Sequence, residues 1–576
     1  MSEDIEGAVS LSFHILPAWN CIPLWMSSPV ETPASFSSAF SRSPNDLQRR
    51  LNPETDLGPP NASNLAPSES VGLLGREVTL LSAVMLNIGQ MTGSGIYAVP
   101  GTIIHSVGSV GLLLIYWIIS PLFALGGLSV YSEFASLFPQ RSGGEVVYLE
   151  QVFPKPRFFA PIVSAPILIL TSLNVSNAII FAQYFLSALQ VPVTTVNQNM
   201  VSLIVVFVTA ALVVTSTRWA LWAVNVLTIL KMIVLVFMVG CGIAVLSGMT
   251  HIRDPYANFR HPFEGSYWNG NALATAFVKS NHAFGGWANA FNLMGEIRSN
   301  DPARTVRKAS KISLYVVSAL FLFINVAYVA AIPVNDMRVP DELVAILFFR
   351  RIFRSEGTAA FPLLVALNCF GSIIAVTLSQ ARVLREIARQ GLLPYPAFFS
   401  SVKPFGTPLR ALVLRTFLVT LLLVIVPAKD AFDFILDLVS YPNLVFQSAL
   451  AYGIWVLRSR RSQCKFEQAP LRANTLVVSL YFATCILLLI LPWMPPARGH
   501  ADVSFWYATY CVAGVALLLF CGFYYWIWII YLPRRGNYEI VQEIEESADG
   551  VRNTKLTRRY KEFAANRREE PRLIDI

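Results

Sequence analysis

The run from Val78 to Ile104 is apolar and long enough to cross a bilayer, yet Thr92-Gly93-Ser94-Gly95-Ile96 interrupts it near its middle. No other feature restricts the fold as strongly. In hydrocarbon a broken helix leaves N–H and C=O groups without partners, at a cost of several kcal/mol each. Such a break persists only where it lines a cavity inside the protein. The N-terminus of the second half-helix then carries about half a positive charge and free N–H groups, which together form a receptor for a carboxylate at mid-bilayer depth.

The surroundings fit that constraint. Of 576 residues, 54% are hydrophobic and 14% charged, and the mean hydropathy is +0.53. Soluble domains carry about 25% charged residues, so the chain reads as an all-α polytopic membrane protein. Residues 1–76 are rich in Ser, Pro and Asn and are expected to form a disordered cytoplasmic tail. Within them Leu11 to Met26 is apolar but too short and Pro-broken to span. It is either an amphipathic patch or a stretch foreign to the natural protein. About twelve apolar segments follow, over 78–104, 110–137, 157–188, 199–216, 219–247, 270–295, 311–333, 359–380, 408–427, 431–457, 474–494 and 504–532. The seven cysteines show no CxxC or zinc-type spacing. The start is acidic and lacks the basic region of a signal peptide.

Alternate loops concentrate Lys and Arg: Arg141, Lys155 and Arg157; Arg298 to Lys311; Arg382 to Arg410; Arg458 to Arg472; and the tail from Arg534. The positive-inside rule puts these loops, and both termini, in the cytoplasm. The loop over 334–358, with Arg338, Arg350, Arg351 and Arg354, goes against the trend. A second interruption, His282-Ala283-Phe284-Gly285-Gly286-Trp287, divides the sixth segment, with Glu296 near its end. The first and sixth segments are thus both broken, five helices apart. Two inverted five-helix repeats, each opening with a discontinuous helix, give that spacing. The expected organisation is a ten-helix 5+5 inverted-repeat (LeuT-like) core over 77–457, two peripheral helices over 458–532, and a cytoplasmic tail over 533–576.

At these residues the chain resembles the amino acid–polyamine–organocation superfamily, and within it the L-type amino acid transporters and fungal high-affinity methionine permeases. The resemblance rests on Gly93-Ser94-Gly95-Ile96-Tyr97 with Pro100; Tyr131-Ser132-Glu133; Arg141-Ser142-Gly143-Gly144-Glu145 with Tyr148; Phe284-Gly285-Gly286-Trp287 with Glu296; Asn368-Cys369-Phe370-Gly371-Ser372; and Arg389-Gln390-Gly391-Leu392-Leu393-Pro394. The set runs in family order across roughly residues 76–460.

The resemblance implies a multi-pass, plasma-membrane amino acid permease and suggests how a solute is held. The carboxylate is expected on the N–H groups of Gly93, Ser94 and Gly95 and the Ser94 hydroxyl, beside Thr92. Glycine allows the close approach. The ammonium needs carbonyls at the ends of the half-helices, from Met91 on the first segment and His282, Ala283 and Gly285 on the sixth. Neutral backbone groups then satisfy both charges, which suits a neutral amino acid, methionine or another large one. Similar transporters carry an aromatic gate where this chain has His282, a ring that either titrates as a gate or simply bonds unwound backbone. Trp287 and Phe284 are expected to pack that gate. Asn443 falls where relatives line the side-chain pocket.

Lys231 lies inside the run Leu227 to Val239, and about twelve residues, roughly 20 Å of helix, separate it from Arg218. A charge at that depth is a functional candidate by default. In sodium-coupled relatives a sodium ion bridges the first broken helix to the eighth, and several relatives place a lysine ammonium there instead. Sodium independence is therefore expected, with Lys231 on first-segment carbonyls or coupling transport to protons or exchange. Glu133 and Glu296 are read as cytoplasmic gate salt bridges, and Asp437 is unexplained. The loop Gln190 to Met200 holds no cysteine, so no disulfide-linked heavy chain is expected as partner. Lys555 and Lys561 are candidate acceptors for ubiquitin and the endocytic machinery. With no triad, P-loop or metal cluster, an enzyme is disfavoured, and no cofactor, metal or nucleic acid is expected. Two alternatives remain: a polyamine or other amine transporter of the same fold, which needs carboxylates facing the cavity (Asp437 and Glu133 are the candidates), and a sensor that binds amino acids but barely transports them.

Overall fold

A computed structural model describes residues 78–138, 144–171, 173, 175–338, 344–353, 360–393, 395–403, 405–425, 431–463, 469–495, 506–546 and 552–560. The N-terminal tail, Arg141 to Gly143, Pro394, Lys561 and the side chains of Asp433 and Asp437 lie outside what is described. Among the described residues, eight helices are long and apolar enough to cross a membrane, so the chain is a multi-pass helical bundle.

The first segment forms two helices, α1 (Leu80–Met91) and α2 (Gly95–Val107). Thr79 caps α1 by accepting a hydrogen bond from the Ser82 N–H at 3.2 Å. Gly108, with φ of 75°, ends α2 in the left-handed region where only glycine is unstrained. The following helices are α3 (Val110–Leu137), α4 (Glu145–Val152), α5 (Phe159–Thr171), α6 (Val175–Ala188), α7 (Thr195–Thr215) and α8 (Thr217–Leu246). The sixth segment gives α9 (Gly270–Ala283), a turn over 284–288, then a 3-10 helix Asn289–Glu296 that is itself irregular at Leu293. After α10 (Pro302–Ala331) and α11 (Val344–Phe353) come α12 (Ala360–Arg389), α13 (Leu409–Ile425), α14 (Ala431–Gln463), α15 (Thr475–Ile490) and α16 (Thr509–Tyr525). Asp301 caps α10 by accepting from the Arg304 N–H at 3.1 Å, and Pro302 occupies the first turn, where its missing N–H costs nothing.

The segment over 157–188 is one membrane-capable span made of α5 and α6 on either side of Leu173. The Leu173 carbonyl accepts a hydrogen bond from Arg415 Nη2 of α13 at 3.0 Å. A charged partner from a distant helix stabilises this break, and no glycine marks it. One expectation needs correction: the fold is not wholly helical. Strands β1 (Tyr538–Glu546) and β2 (Arg552–Tyr560) pair antiparallel, and β2 rests on α12. Ile540 and Ile544 fall on one side of β1, and Glu539, Glu543 and Glu545 on the other.

α1 is surrounded by α8, α10 and α12, while α2 packs against α9, so the half-helices of the two broken segments lie side by side. The chain entering α1 is stitched to the end of the sixth segment: Val78 N–H donates to Glu296 O at 3.1 Å and Arg298 N–H donates to Val78 O at 2.9 Å. Asn87, fully buried in α1, donates to Ser310 Oγ at 3.0 Å and accepts from the Ala290 N–H at 2.9 Å. One amide thereby joins three elements and pairs a backbone N–H that the broken sixth segment exposes. Replacing it by Asn87→Ala leaves that N–H buried without its acceptor, at a cost of about 1–3 kcal/mol. The expected outcome is a thermal unfolding midpoint lower by a few degrees for the detergent-purified chain. An unchanged midpoint would show that the amide is not needed there.

Candidate functional site

The two breaks interlock. A Cβ placed on Gly95 would lie 2.7 Å from Ala283 Cβ and 2.8 Å from Ala283 Cα. A Cβ on Gly286 would lie 2.6 Å from the Met91 backbone nitrogen. These glycines are thus required for backbone to meet backbone across the pair of breaks, and not only for a ligand to approach. Met91, Thr92, Gly93, Ser94 and Gly95 are all buried.

A cavity of about 250 Å³ opens beside this junction. It lies between the end of α1, the turn of the sixth segment, the α5–α6 break, α12 and α14. That volume sits below the roughly 300–1,000 Å³ of clefts for drug-sized ligands, and suits one small solute. Of the residues singled out from sequence, His282, Gly285, Trp287 and Asn443 line it. Met91 to Gly95, Ala283 and Phe284 do not line it; all are buried beside it. Phe284 is fully buried, and its ring packs edge-on against Trp117 at 5.7 Å and tilted against Phe321 at 5.5 Å. It belongs to the core rather than to the solute surface. Trp287 packs on Tyr131 and Phe291.

The expected receptor groups are partly engaged. The Ser94 N–H donates to Asn177 Oδ1 at 2.6 Å, and the Thr92 hydroxyl and N–H both donate to Ile88 O, at 2.7 and 2.8 Å. The His282 carbonyl accepts from the Gly285 N–H at 2.9 Å. What sequence reading missed is the chemistry of the wall. Gln90, Asn177, Asn281, Asn292, Gln380 and Gln447 join Asn443 in a lining rich in carboxamides. Gln90 Oε1 and Gln447 Oε1 are buried acceptors with no hydrogen-bond partner among the described residues. Amides offer donors and acceptors without net charge, as a zwitterion requires. Glu145 is the one carboxylate on the described lining, and the Tyr131 hydroxyl donates to it.

Lys231 is 1% exposed, and its Nζ donates to Gly89 O at 2.7 Å and to Ser372 Oγ at 2.6 Å. Ser372 also donates to Gly89 O, at 2.6 Å. The ammonium therefore bridges α1, just before its break, to α12. A Cβ on Gly371 would fall 2.8 Å from Lys231 Cε, so that glycine clears the path of the lysine stem. Two further buried cations escaped the sequence reading, Lys279 in α9 and Arg415 in α13, although each is a charge inside an apolar span. Arg415 Nη1 also donates to Thr377 Oγ1, at 3.1 Å.

At one end of the bundle the two glutamates hold ion pairs. Glu133 accepts from Arg458 through both oxygens, at 2.9 and 2.6 Å, and from the Ala473 N–H at 2.7 Å. Glu296 accepts from Arg382 Nε at 3.1 Å, and Arg382 Nη2 donates on to Thr217 Oγ1 at 2.9 Å. The bidentate guanidinium geometry at Glu133 fixes α3 to α14.

Comparison with known proteins gives the family. Residues 78–519 match the amino acid permease family model. The chain is 31% identical to the high-affinity methionine permease of Saccharomyces cerevisiae, over 84% of each chain. It is 28% identical to the human large neutral amino acids transporter small subunit 2, over 76% of this chain and 80% of that one. It is 26% identical to the human cystine/glutamate transporter, over 74% and 82%.

The interlocked glycines give a direct test. Gly95→Val should leave the amount of protein in the membrane fraction near wild type and abolish amino acid uptake, because the added methyl groups force α2 away from α9. Wild-type uptake by that variant would show that the breaks need not meet.

Proposed function

This chain belongs to the amino acid permease family, and on that premise we propose that it moves neutral L-amino acids, methionine or another large neutral one, across the plasma membrane. The family is one of transporters rather than enzymes. The observation that carries the proposal is the carboxamide-lined cavity at the junction of the two broken helices. Its walls offer neutral donors and acceptors, and the unpartnered oxygens of Gln90 and Gln447 are ready acceptors for an ammonium group. The amide-rich wall beside Asn443 leaves room for an apolar side chain against Phe123, Leu168 and Leu488. The methionine permease among the similar proteins supports the same substrate class.

A polyamine is disfavoured by the same surface. Its ammonium groups need carboxylates facing the cavity; among the described residues Glu145 alone lines it, bonded by the Tyr131 hydroxyl, while Glu133 pairs with Arg458.

Transport is by alternating access in a ten-helix core built as two inverted five-helix repeats, with two peripheral helices and both termini in the cytoplasm. The half-helices at the two breaks move with their repeats, and the Glu133–Arg458 and Glu296–Arg382 pairs brace the cytoplasmic side. Lys231 stands where a bridging cation would join the first and eighth spans, so the cycle is sodium-independent and driven by protons or by exchange. The permease works without a disulfide-linked heavy chain. Lys555, exposed on β2, is an acceptor for ubiquitin when the protein is withdrawn from the membrane.

Uptake of labelled methionine into liposomes carrying the purified chain tests this reading, with and without a pH gradient and with sodium replaced by choline. Saturable uptake unaffected by choline is expected; competition by spermidine instead of neutral amino acids, or binding without uptake, would overturn it. In the same assay Lys231→Met should lower uptake about ten-fold or more and flatten its response to the gradient. Unchanged uptake and gradient response would remove Lys231 from the mechanism.

A further inference from the structure

We propose that the Asn177 carboxamide is a stand-in for the substrate carboxylate, seated on the first helix break whenever the carrier is empty. The inference rests on the reading of the cavity as an amino acid site. Asn177 projects from the first turn of α6, is 5% exposed, and lines the cavity. Its Oδ1 accepts the Ser94 N–H at 2.6 Å, at the start of α2. The amide group packs directly on Gly93: a Cβ there would fall 2.6 Å from Oδ1, 3.2 Å from Nδ2 and 3.0 Å from Ser372 Oγ. Gly93 thus makes room for a planar, oxygen-bearing group directly on the unwound backbone, and in this structure the protein supplies that group itself.

A carboxamide oxygen is the same kind of sp² acceptor as a carboxylate oxygen, without the charge. The positive end of α2 prefers the anion, and charge-assisted hydrogen bonds are about twice as strong as neutral ones. An arriving carboxylate therefore displaces Asn177, which swings back into the carboxamide-lined cavity where other donors and acceptors receive it. On release Asn177 returns. The consequence concerns the empty carrier. Alternating access requires the breaks to close away from water, and a buried N–H without a partner is penalised by on the order of ten-fold or more in population. With Asn177 in place the empty site is satisfied and can reorient. The carrier then accomplishes net uptake, and is not confined to one-for-one exchange. Asn177 is in this sense a positioning residue of the return step.

Three measurements on the full-length chain in proteoliposomes and detergent test this. Labelled methionine is followed into empty vesicles, which reads net uptake, and into vesicles preloaded with unlabelled methionine, which reads exchange. The methionine concentration for half-maximal thermal stabilisation reads affinity. Asn177→Ala removes the competitor, so the half-maximal concentration should fall several-fold. Net uptake should drop about ten-fold or more, and exchange should fall by clearly less than net uptake. Asn177→Asp places a permanent carboxylate on the receptor and should raise the half-maximal concentration at least ten-fold. Asn177→Ser, too short to span the gap, gives the alanine pattern if the alanine variant does not fold. Weaker or unchanged methionine affinity in the short variants, or equal loss of net uptake and exchange, would overturn the proposal. Failure of the wild-type chain to exchange methionine at all would instead overturn the reading of the site on which it rests.

Discussion

Backbone groups freed by an interrupted helix must find partners inside the protein, because lipid offers none. The architecture around the cavity is a set of answers to that requirement. Lys231 and Ser372 take the Gly89 carbonyl, Asn177 takes the Ser94 N–H, Asn87 takes the Ala290 N–H, and Arg415 takes the Leu173 carbonyl. Each partner comes from a different element than the group it satisfies. The breaks therefore tie α1, α6, α8, α12 and α13 to one place, and the solute cavity is the space left where they converge.

The same arrangement explains why so much of the site is made from neutral groups. A full charge in the cavity wall needs a partner or a large desolvation cost. Where charges do occur deep in the bundle they are spoken for: Lys231 by a carbonyl and a hydroxyl, Arg382 by Glu296, Arg415 by Thr377 and Leu173. Carboxamides carry donors and acceptors at far lower cost, and can exchange partners as a solute enters and leaves. Ion pairs thus stand at the end of the bundle and neutral amides line the cavity in its middle.

The two glycine-marked breaks were legible in the sequence because glycine pairs stand out within an apolar run, and Lys231 because a lone cation does. Of the twelve expected spans, eight are membrane-capable helices among the described residues, legible from length and composition, and the family motifs were legible from their order. The α5–α6 break carries no glycine signal, and its bond from Arg415 comes from another helix. Arg415 and Lys279 carry the same signal as Lys231, a lone cation in an apolar span. Asn177 had no signal of its own: a single asparagine in a span commonly makes an interhelical hydrogen bond, and only its distance to Ser94 distinguishes it. The Phe284 ring packs on Trp117 and Phe321, contacts from distant helices that no local pattern reveals. The β1–β2 hairpin was overlooked because its charged alternation resembles a solvated tail.

The central claim is that a neutral amino acid sits at the junction of the two interrupted helices with its carboxylate on the α2 terminus. An experimental density map of the chain bound to methionine tests it most directly. The account predicts a carboxylate oxygen about 2.7–3.2 Å from the Ser94 nitrogen, the Asn177 amide turned away, and the thioether against the apolar side of the cavity. Methionine bound elsewhere, or a map in which the first and sixth segments run as continuous helices with no space between them, would contradict it.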